Sequence, residues 1–303
     1  MGAQLRAVRR RIRSIQSTAK ITRAQEMIAA SRIIKAQQRV HAASPYAREI
    51  TRAVEAVVSR SQQISHPLIA EPVNPSRAAI VLITSDRGFC GGYNANVLRE
   101  AQALDGLLRG QAKEPVIYVV GAKGIIWHRF RDRAMAAEWH GFSDNPRHEH
   151  ARQITTALIE AFSTPANEGG VDEIHLVYTE FVSMLTQRPT VRRILPLEIE
   201  EVAEEPPEGP VPVYDFEPSP EAVLDELLPA YLESRLYYAL LQAAASEHAS
   251  RRRAMKSATD NANDLIEQLT RDANQARQAE ITQEISEIVG GANALAESTA
   301  GSE

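Results

Sequence analysis

The stretch Ala230–Val289, AYLESRLYYALLQAAASEHASRRRAMKSATDNANDLIEQLTRDANQARQAEITQEISEIV, contains 60 residues without a proline or a glycine. A helix of that length spans roughly 90 Å at about 1.5 Å per residue. No single small core buries so long a helix, so it needs a partner along its length. The opposite end of the chain offers one, because Ala3–Ser44 is also free of proline and glycine. The expectation is a long antiparallel two-helix coiled coil made from the two ends, with whatever lies between them inserted as a separate domain.

The periodicity of both ends fits. Leu5, Val8, Ile12, Ile15, Ala19 and Thr22 advance by three and four residues in turn, the rhythm of a coiled-coil seam. After Thr22 the apolar phase slips, and Met27, Ile28, Ile33 and Ile34 carry the face. Ser44-Pro45 is a candidate kink, since proline disfavours helical geometry in the residue before it. The pattern resumes through Ile50, Val54, Val57 and Val58 and is over by His66-Pro67. At the other end Met255, Ala258, Ala262, Leu265 and Leu269 form the seam. Ile281, Ile285 and Ile288 close it, and Gly290-Gly291 is a natural stop.

Charge supports the pairing. Residues 1–23 hold seven basic side chains (Arg6, Arg9, Arg10, Arg11, Arg13, Lys20, Arg23) and no acid, whereas residues 260–289 hold seven acids against Arg271 and Arg277. Exposed ion pairs contribute about 0.2–1 kcal/mol each, so their value lies in orientation and register.

The middle of the chain reads differently. Ala78–Thr84, Pro115–Gly121 and Glu173–Thr179 are strand-like runs, the first a β-branched run of the kind buried on both sheet faces. Helical patterns lie between them at about 94–110, 122–130 and 150–163, and Arg192–Pro196 adds an edge strand. This alternation predicts a central α/β, Rossmann-like domain with a mainly parallel sheet. The expected organisation is a coiled-coil helix over 1–66, the α/β domain over 75–199, a Pro- and Glu-rich connector over 200–220, a second coiled-coil helix over 221–290 and a tail over 291–303.

Composition narrows the function. The chain has 303 residues, 24% charged and 44% apolar, with a net charge of −5. That charge points to neither nucleic acid nor membrane, and no apolar run approaches the roughly 18–20 residues that span a bilayer. The arginine-rich start lacks an apolar core and runs unbroken into the helical pattern, so it reads as structure rather than as a targeting segment. Cys90 is the single cysteine, which excludes an internal disulfide and fits a reducing compartment.

Candidate chemical sites are few. Ser85–Asn94 follows a strand and precedes a helix, where α/β domains often hold phosphate. Its glycines fit neither GxGxxG nor a P-loop, so a structural turn is favoured. Cys90 has no patterned histidine partner for nucleophilic chemistry. His148-Glu-His150 has metal-like residues in what reads as a solvated loop. The clusters Arg9–Arg11 and Arg251–Arg253 read as solvated helix faces rather than nucleic-acid or lipid sites. Thr259, Asp260, Asn261 and Asn263 are poor helix formers in mid-helix, placed on the outer face for contact with other subunits or with water.

Four segments, in order and spanning the chain, resemble the γ subunit family of F-type ATP synthase. They are Arg13–Arg32 (RSIQSTAKITRAQEMIAASR), Ser85–Asn96 (SDRGFCGGYNAN), Ala254–Ala262 (AMKSATDNA) and Arg277–Gly290 (RQAEITQEISEIVG). The resemblance implies a rotor whose paired terminal helices enter an α3β3 ring. Its central domain would sit on the ε subunit and the c-ring, with δ a possible further partner in the complex. It implies a proton-driven, non-catalytic shaft with no catalytic, cofactor or metal residues of its own; ATP, ADP and Mg²⁺ would bind to the α and β subunits. By the same resemblance Lys20, Arg23 and Gln25 match a segment that meets an acidic loop low on β, Gln25 standing where some members carry methionine. Arg277, Gln278, Thr282 and Glu284 match a segment that touches β loops near the upper end of the shaft. The cysteine-bearing insertion of the chloroplast form is missing. The implied location is the cytoplasmic face of a bacterial plasma membrane, as a peripheral protein attached only through the Fo sector. Two other readings compete: an α/β enzyme or nucleotide-binding protein with a coiled-coil arm, and a coiled-coil scaffold or basic helix on nucleic acid or membrane.

Overall fold

The computed structural model describes residues 2–60, 72, 74–197, 217 and 219–300. Within them the chain forms α1 (Gly2–Arg60), β1 (Arg77–Ile83), α2 (Tyr93–Gly110), β2 (Glu114–Val120), α3 (Ala122–Phe130), β3 (Ala137–Trp139), α4 (His148–Ser163), a 3₁₀ turn (Ala166–Glu168), β4 (Glu173–Phe181), β5 (Gln187–Leu195) and α5 (Pro220–Ala300). Two compact units result. Residues 1–28 and 253–303 form one, and residues 29–252 the other. Among the described residues no helix is long and apolar enough to cross a membrane.

The first unit is a pair of helices, the start of α1 and the end of α5. Leu5, Ala19 and Thr22 are buried on α1, and Val8, Ile12 and Ile15 half-buried. On α5 the stripe runs through Met255, Thr259, Ala262, Ile266, Leu269, Ala273 and Ala276. Thr22 Oγ1 and Thr259 Oγ1 meet at 2.7 Å. From that contact, the buried stripe extends back along α1 to Leu5 and forward along α5 to Glu280, in opposite chain directions. The helices are therefore antiparallel. Alanine and threonine at the seam let the backbones approach closely.

The second unit is an α/β sandwich. The sheet order is β3-β2-β1-β4-β5, with β5 antiparallel to β4 and every other neighbour parallel. Every residue of β1 from Ala78 to Ile83 is buried, because both faces of the sheet are covered. Ala78, Ile80 and Leu82 pack with Val97, Leu98, Ala101, Leu104 and Leu108 of α2. Ala79, Val81 and Ile83 point the other way, into a larger core built from α4, Ile50, Val54 and Val57 of α1, and Leu224–Ala243 of α5.

The structure corrects several expectations. The seam rhythm of α1 does not slip after Thr22. It continues through Glu26, Ala29, Ile33, Ala36 and Val40, while Met27, Ile28 and Ile34 are 65%, 47% and 59% exposed. Ile33, alone of the four residues expected on the apolar face, lies in the seam, between the small Ala29 and Ala36, so tracking hydrophobicity mostly follows the wrong face. On α5 Thr259 rather than Ala258 takes the fully buried place, opposite Thr22, so it does not lie on the outer face; Ala258 and Leu265 flank the seam half-buried. Pro45 lies inside α1 and leaves it helical on both sides, at the cost of one backbone hydrogen bond. Gly290-Gly291 does not stop α5, which runs on to Ala300. Ile281, Ile285 and Ile288 do not close the seam; all three are exposed. His148-Glu-His150 is the first turn of α4, not a loop, and His150 Nδ1 accepts the Arg147 N–H at 3.0 Å. Arg251 is buried rather than solvated. The short β3 had no counterpart in the sequence reading. The expected helix end at His66-Pro67 and most of the connector at 200–220 lie outside the described residues.

Candidate functional site

Helical spacing decides which candidate residues share a surface. Lys20 and Arg23 are three apart and share a face of α1, whereas Gln25 turns away from it. All three are exposed, and Arg23 Nη1 lies 3.8 Å from Glu26 of the next turn. Among the described residues, the ion pairs recorded for the acids of α5 in this unit run along α5 itself, Lys256–Asp260 at 3.0 Å and Arg271–Glu267 at 2.9 Å. Each such pair is worth only a few tenths of a kcal/mol. Neither of these two pairs crosses to α1.

Arg277, Gln278, Thr282 and Glu284 are also exposed. Thr282 Oγ1 donates to the Gln278 carbonyl at 2.9 Å, which spends its hydroxyl along the helix and leaves the Gln278 amide outward. Arg277, Ile281, Glu284 and Ile288 line one face. Gln278, Thr282, Ile285 and Val289 line the next. Continuing the seam register past Glu280 reaches Gln283 and Glu287, both polar. The apolar stripe has rotated off the seam, and Ile281, Ile285, Ile288 and Val289 are 48–72% exposed. Sequence reasoning misassigned these four as coil closure or passed over them; the signal was the mismatch between their spacing and the register of the seam. The two candidate groups do not converge. Thr259, opposite the first, precedes Arg277 by a helical length of about 27 Å.

In the α/β unit, the Ser85–Asn94 loop is held at every turn. Asn94 Oδ1 accepts the Ser85 N–H at 3.0 Å, and Ser85 Oγ donates to the Arg87 carbonyl at 2.7 Å. Asp86 accepts the N–H groups of Ala122, Gly141 and Ser143 at 3.0, 2.9 and 2.9 Å. Burial raises the pKa of this carboxyl, but those three hydrogen bonds outweigh it, and the pKa is lowered. Phe89 and Gly91 take positive φ values of 60° and 58°, which gives the glycine a backbone reason to be there. Cys90 is buried, and burial pushes its thiol up, the wrong direction for a nucleophile.

Open α/β sheets bind ligands in the crevice beyond the carboxyl ends of the strands, where strand order reverses. Here that point lies between β1 and β4, and α5 fills it. Tyr93 Oη donates to the Ala243 carbonyl at 3.2 Å, and the Phe181 N–H at the end of β4 donates to Gln242 Oε1 at 3.0 Å. Arg251 donates to the carbonyls of Gly88 and Arg87, each at 3.3 Å, and to Glu247 Oε1 at 2.6 Å. Burial raises the pKa of Glu247 even though Arg251 opposes it. The arrangement clamps a loop to a helix.

Comparison with known proteins agrees in detail. Residues 4–295 match the family described as ATP synthase. The chain is 63% identical over 295 residues to the ATP synthase gamma chain of Acidothermus cellulolyticus, covering 97% of this chain and 98% of the relative. It is 60% identical to the ATP synthase gamma chain of Thermobifida fusca, covering all of both chains. Among solved structures, a chain of the Euglena gracilis mitochondrial ATP synthase OSCP/F1/c-ring assembly matches 97% of this chain and 95% of its own length, at 17% identity and a TM-score of 0.67. A chain of the Tetrahymena thermophila mitochondrial ATP synthase central stalk and c-ring matches at 22% identity and a TM-score of 0.57, over 78% of this chain and 99% of its own. At these identities the likeness concerns the fold.

Proposed function

This chain belongs to the ATP synthase gamma chain family, and from that membership we propose that it acts as the central rotor shaft of F1, carrying torque from a proton-driven c-ring to three catalytic β subunits. The observation that carries this reading is the continuity of α5. It is one helix from Pro220 to Ala300, so residues in the α/β unit and residues in the paired-helix unit share one hydrogen-bonded backbone.

The physics follows. A charge crossing the membrane releases about 2.3 kcal/mol per 100 mV, and that work must reach distant catalytic sites as rotation. An asymmetric shaft presents a different surface to each of three equivalent β subunits. Nucleotide affinity at each site then shifts only by the difference in contact energy between the states. The exposed residues Lys20, Arg23 and Gln25, and Arg277, Gln278, Thr282 and Glu284, are the proposed contacts.

In this reading the chain is non-catalytic, and ATP, ADP and Mg²⁺ bind to α and β. The filled crevice beyond β1 and β4 supports that part of the reading, since Tyr93, Glu247 and Arg251 stand where a nucleotide would sit. The α/β unit would rest on ε and the c-ring, with δ elsewhere in the complex. The protein would lie on the cytoplasmic face of a bacterial plasma membrane, attached through Fo. The deciding experiment is assembly of the tagged chain with α and β subunits and observation of a bead fixed to it. ATP-driven rotation is the expected result. A chain that fails to join α and β, or that binds nucleotide by itself, would overturn the proposal.

A further inference from the structure

We infer that the turn Asp144–Asn145 is the strut that locks the sheet of the α/β unit to both long helices, with Asp144 as a positioning residue for torque transfer. The inference rests on the rotor reading above. Arg32 and Arg39 stand two turns apart on one face of α1. Arg32 Nη1 donates to Asp144 Oδ2, and Arg39 Nη1 donates to Asn145 Oδ1. Arg87, from the loop after β1, lies 3.8 Å from the same Asp144 oxygen. From α5, His248 Nε2 donates to the Asp144 carbonyl at 3.1 Å. One residue thus touches α1, α5 and the β1–α2 loop. The turn is itself pinned to the sheet, because the Asp86 N–H donates to Ser143 Oγ at 2.8 Å while Asp86 accepts from Gly141 and Ser143.

What the apolar core leaves undone gives this turn its role. Among the described residues, the main cluster under the sheet takes α1 side chains only from Ile50 onward and α5 side chains only as far as Ala243. Nearer the end of the unit, Ile33, Ala36, Ala244, Ala245 and Ala249 are buried outside that cluster, and the contacts that run from Arg32–Arg39 and Glu247–Arg251 to the turns of the sheet are polar. Apolar burial is non-directional and does not by itself fix an angle between two elements. A hydrogen bond weakens steeply as its angle opens, so a set of them aimed from three sides resists twist. The Arg32 side chain is 43% exposed and that of Asp144 17%, so their pair adds little to static stability. Torque transfer and folding are therefore separable here.

The test uses inverted membrane vesicles carrying the complete complex, with ATP hydrolysis and ATP-driven proton pumping measured together. For Asp144→Ala the ratio of pumping to hydrolysis is expected to fall at least about fivefold, with assembly and hydrolysis close to wild type. The exchange Asp144→Arg with Arg32→Asp is expected to recover most of that ratio. A wild-type ratio in Asp144→Ala overturns the strut. So does joint loss of assembly, hydrolysis and pumping that the exchange does not repair, because that pattern marks a folding role. If the unmodified chain does not couple hydrolysis to pumping, the rotor reading itself fails, and that result is distinct from either.

Discussion

Thr22 and Thr259, 237 residues apart in the chain, join their side-chain hydroxyls at 2.7 Å in the seam between the two terminal helices. Thr259 also reaches the Met255 carbonyl at 2.9 Å, and Thr22 the Ala19 carbonyl at 3.1 Å. Two protons serve three links. Either hydroxyl can donate across the seam, and the other then keeps its proton on the carbonyl of its own helix. A directional contact of this kind fixes the register of a seam otherwise rich in alanine, where sliding by one heptad changes little buried area.

Replacing one member of that pair removes the contact across the seam and leaves the other hydroxyl bonded only within its own helix. Thr22→Val is expected to cost about 1 kcal/mol, and Thr22→Val with Thr259→Val to cost less than the sum of the two single changes, because the contact across the seam can be lost only once. Urea unfolding followed by circular dichroism of the single and double variants measures this directly. Strictly additive losses would remove the hydroxyl contact as a register element.

Gly290 and Gly291 lie inside α5, and a Cβ at either would meet nothing within 4 Å. Alanine at each position is therefore expected to favour the helix by up to about 1 kcal/mol. Slower amide hydrogen exchange around residues 286–292 in the double variant is the readout. Faster exchange would show that the glycines serve a bend.

His248 gives the α/β unit an acid limit. Burial lowers its pKa from 6.5 to about 4, and the neutral ring donates from Nε2 to Asp144 while Nδ1 sits buried without a partner. Between those two values the unfolded chain binds the extra proton and the folded chain does not. Stability therefore rises with pH across this window and is lost as pH falls from 6.5 toward 4, by up to ~3 kcal/mol. His248→Gln is expected to flatten that part of the stability–pH curve, measured as urea midpoints. An unchanged slope would assign the acid limit to other groups.

Arg277 and Gln278 are exposed on a helix segment beyond the seam, so their loss is expected to shift stability by less than ~0.5 kcal/mol. Coupled ATP turnover in the reconstituted complex is expected to fall in Arg277→Ala with Gln278→Ala. Normal turnover in that double variant would take both out of the contact surface. By contrast Leu265→Pro, in mid-helix beside the seam, is expected to cost about 3 kcal/mol or more and to abolish coupling, whereas deletion of residues 290–303 is better tolerated.

Much of this molecule is legible in its one-dimensional pattern. Runs free of helix breakers announced α1 and α5, and strand-like runs rich in β-branched residues announced β1, β2 and β4 within a residue or two, because strand burial on both faces leaves a near-continuous signature. The same pattern failed where polarity and burial part company. Glu26, Thr259 and Arg251 occupy inward positions because a hydroxyl or a carboxylate elsewhere in the chain meets two of them and the heptad phase imposes the third. Ile281, Ile285 and Ile288 look outward because α5 continues past the reach of α1.

Local propensity and periodicity are properties of neighbouring residues, and they alone dictated which segments are helix or strand, that the ends pair, and which family the four motifs resemble. Which face of each helix is buried, which hydroxyl finds another across 237 residues, and how α5 closes the crevice above the sheet depend on groups far apart in the chain. Those were decided only on folding, because a hydrogen bond or a burial has no energy until both partners are in place.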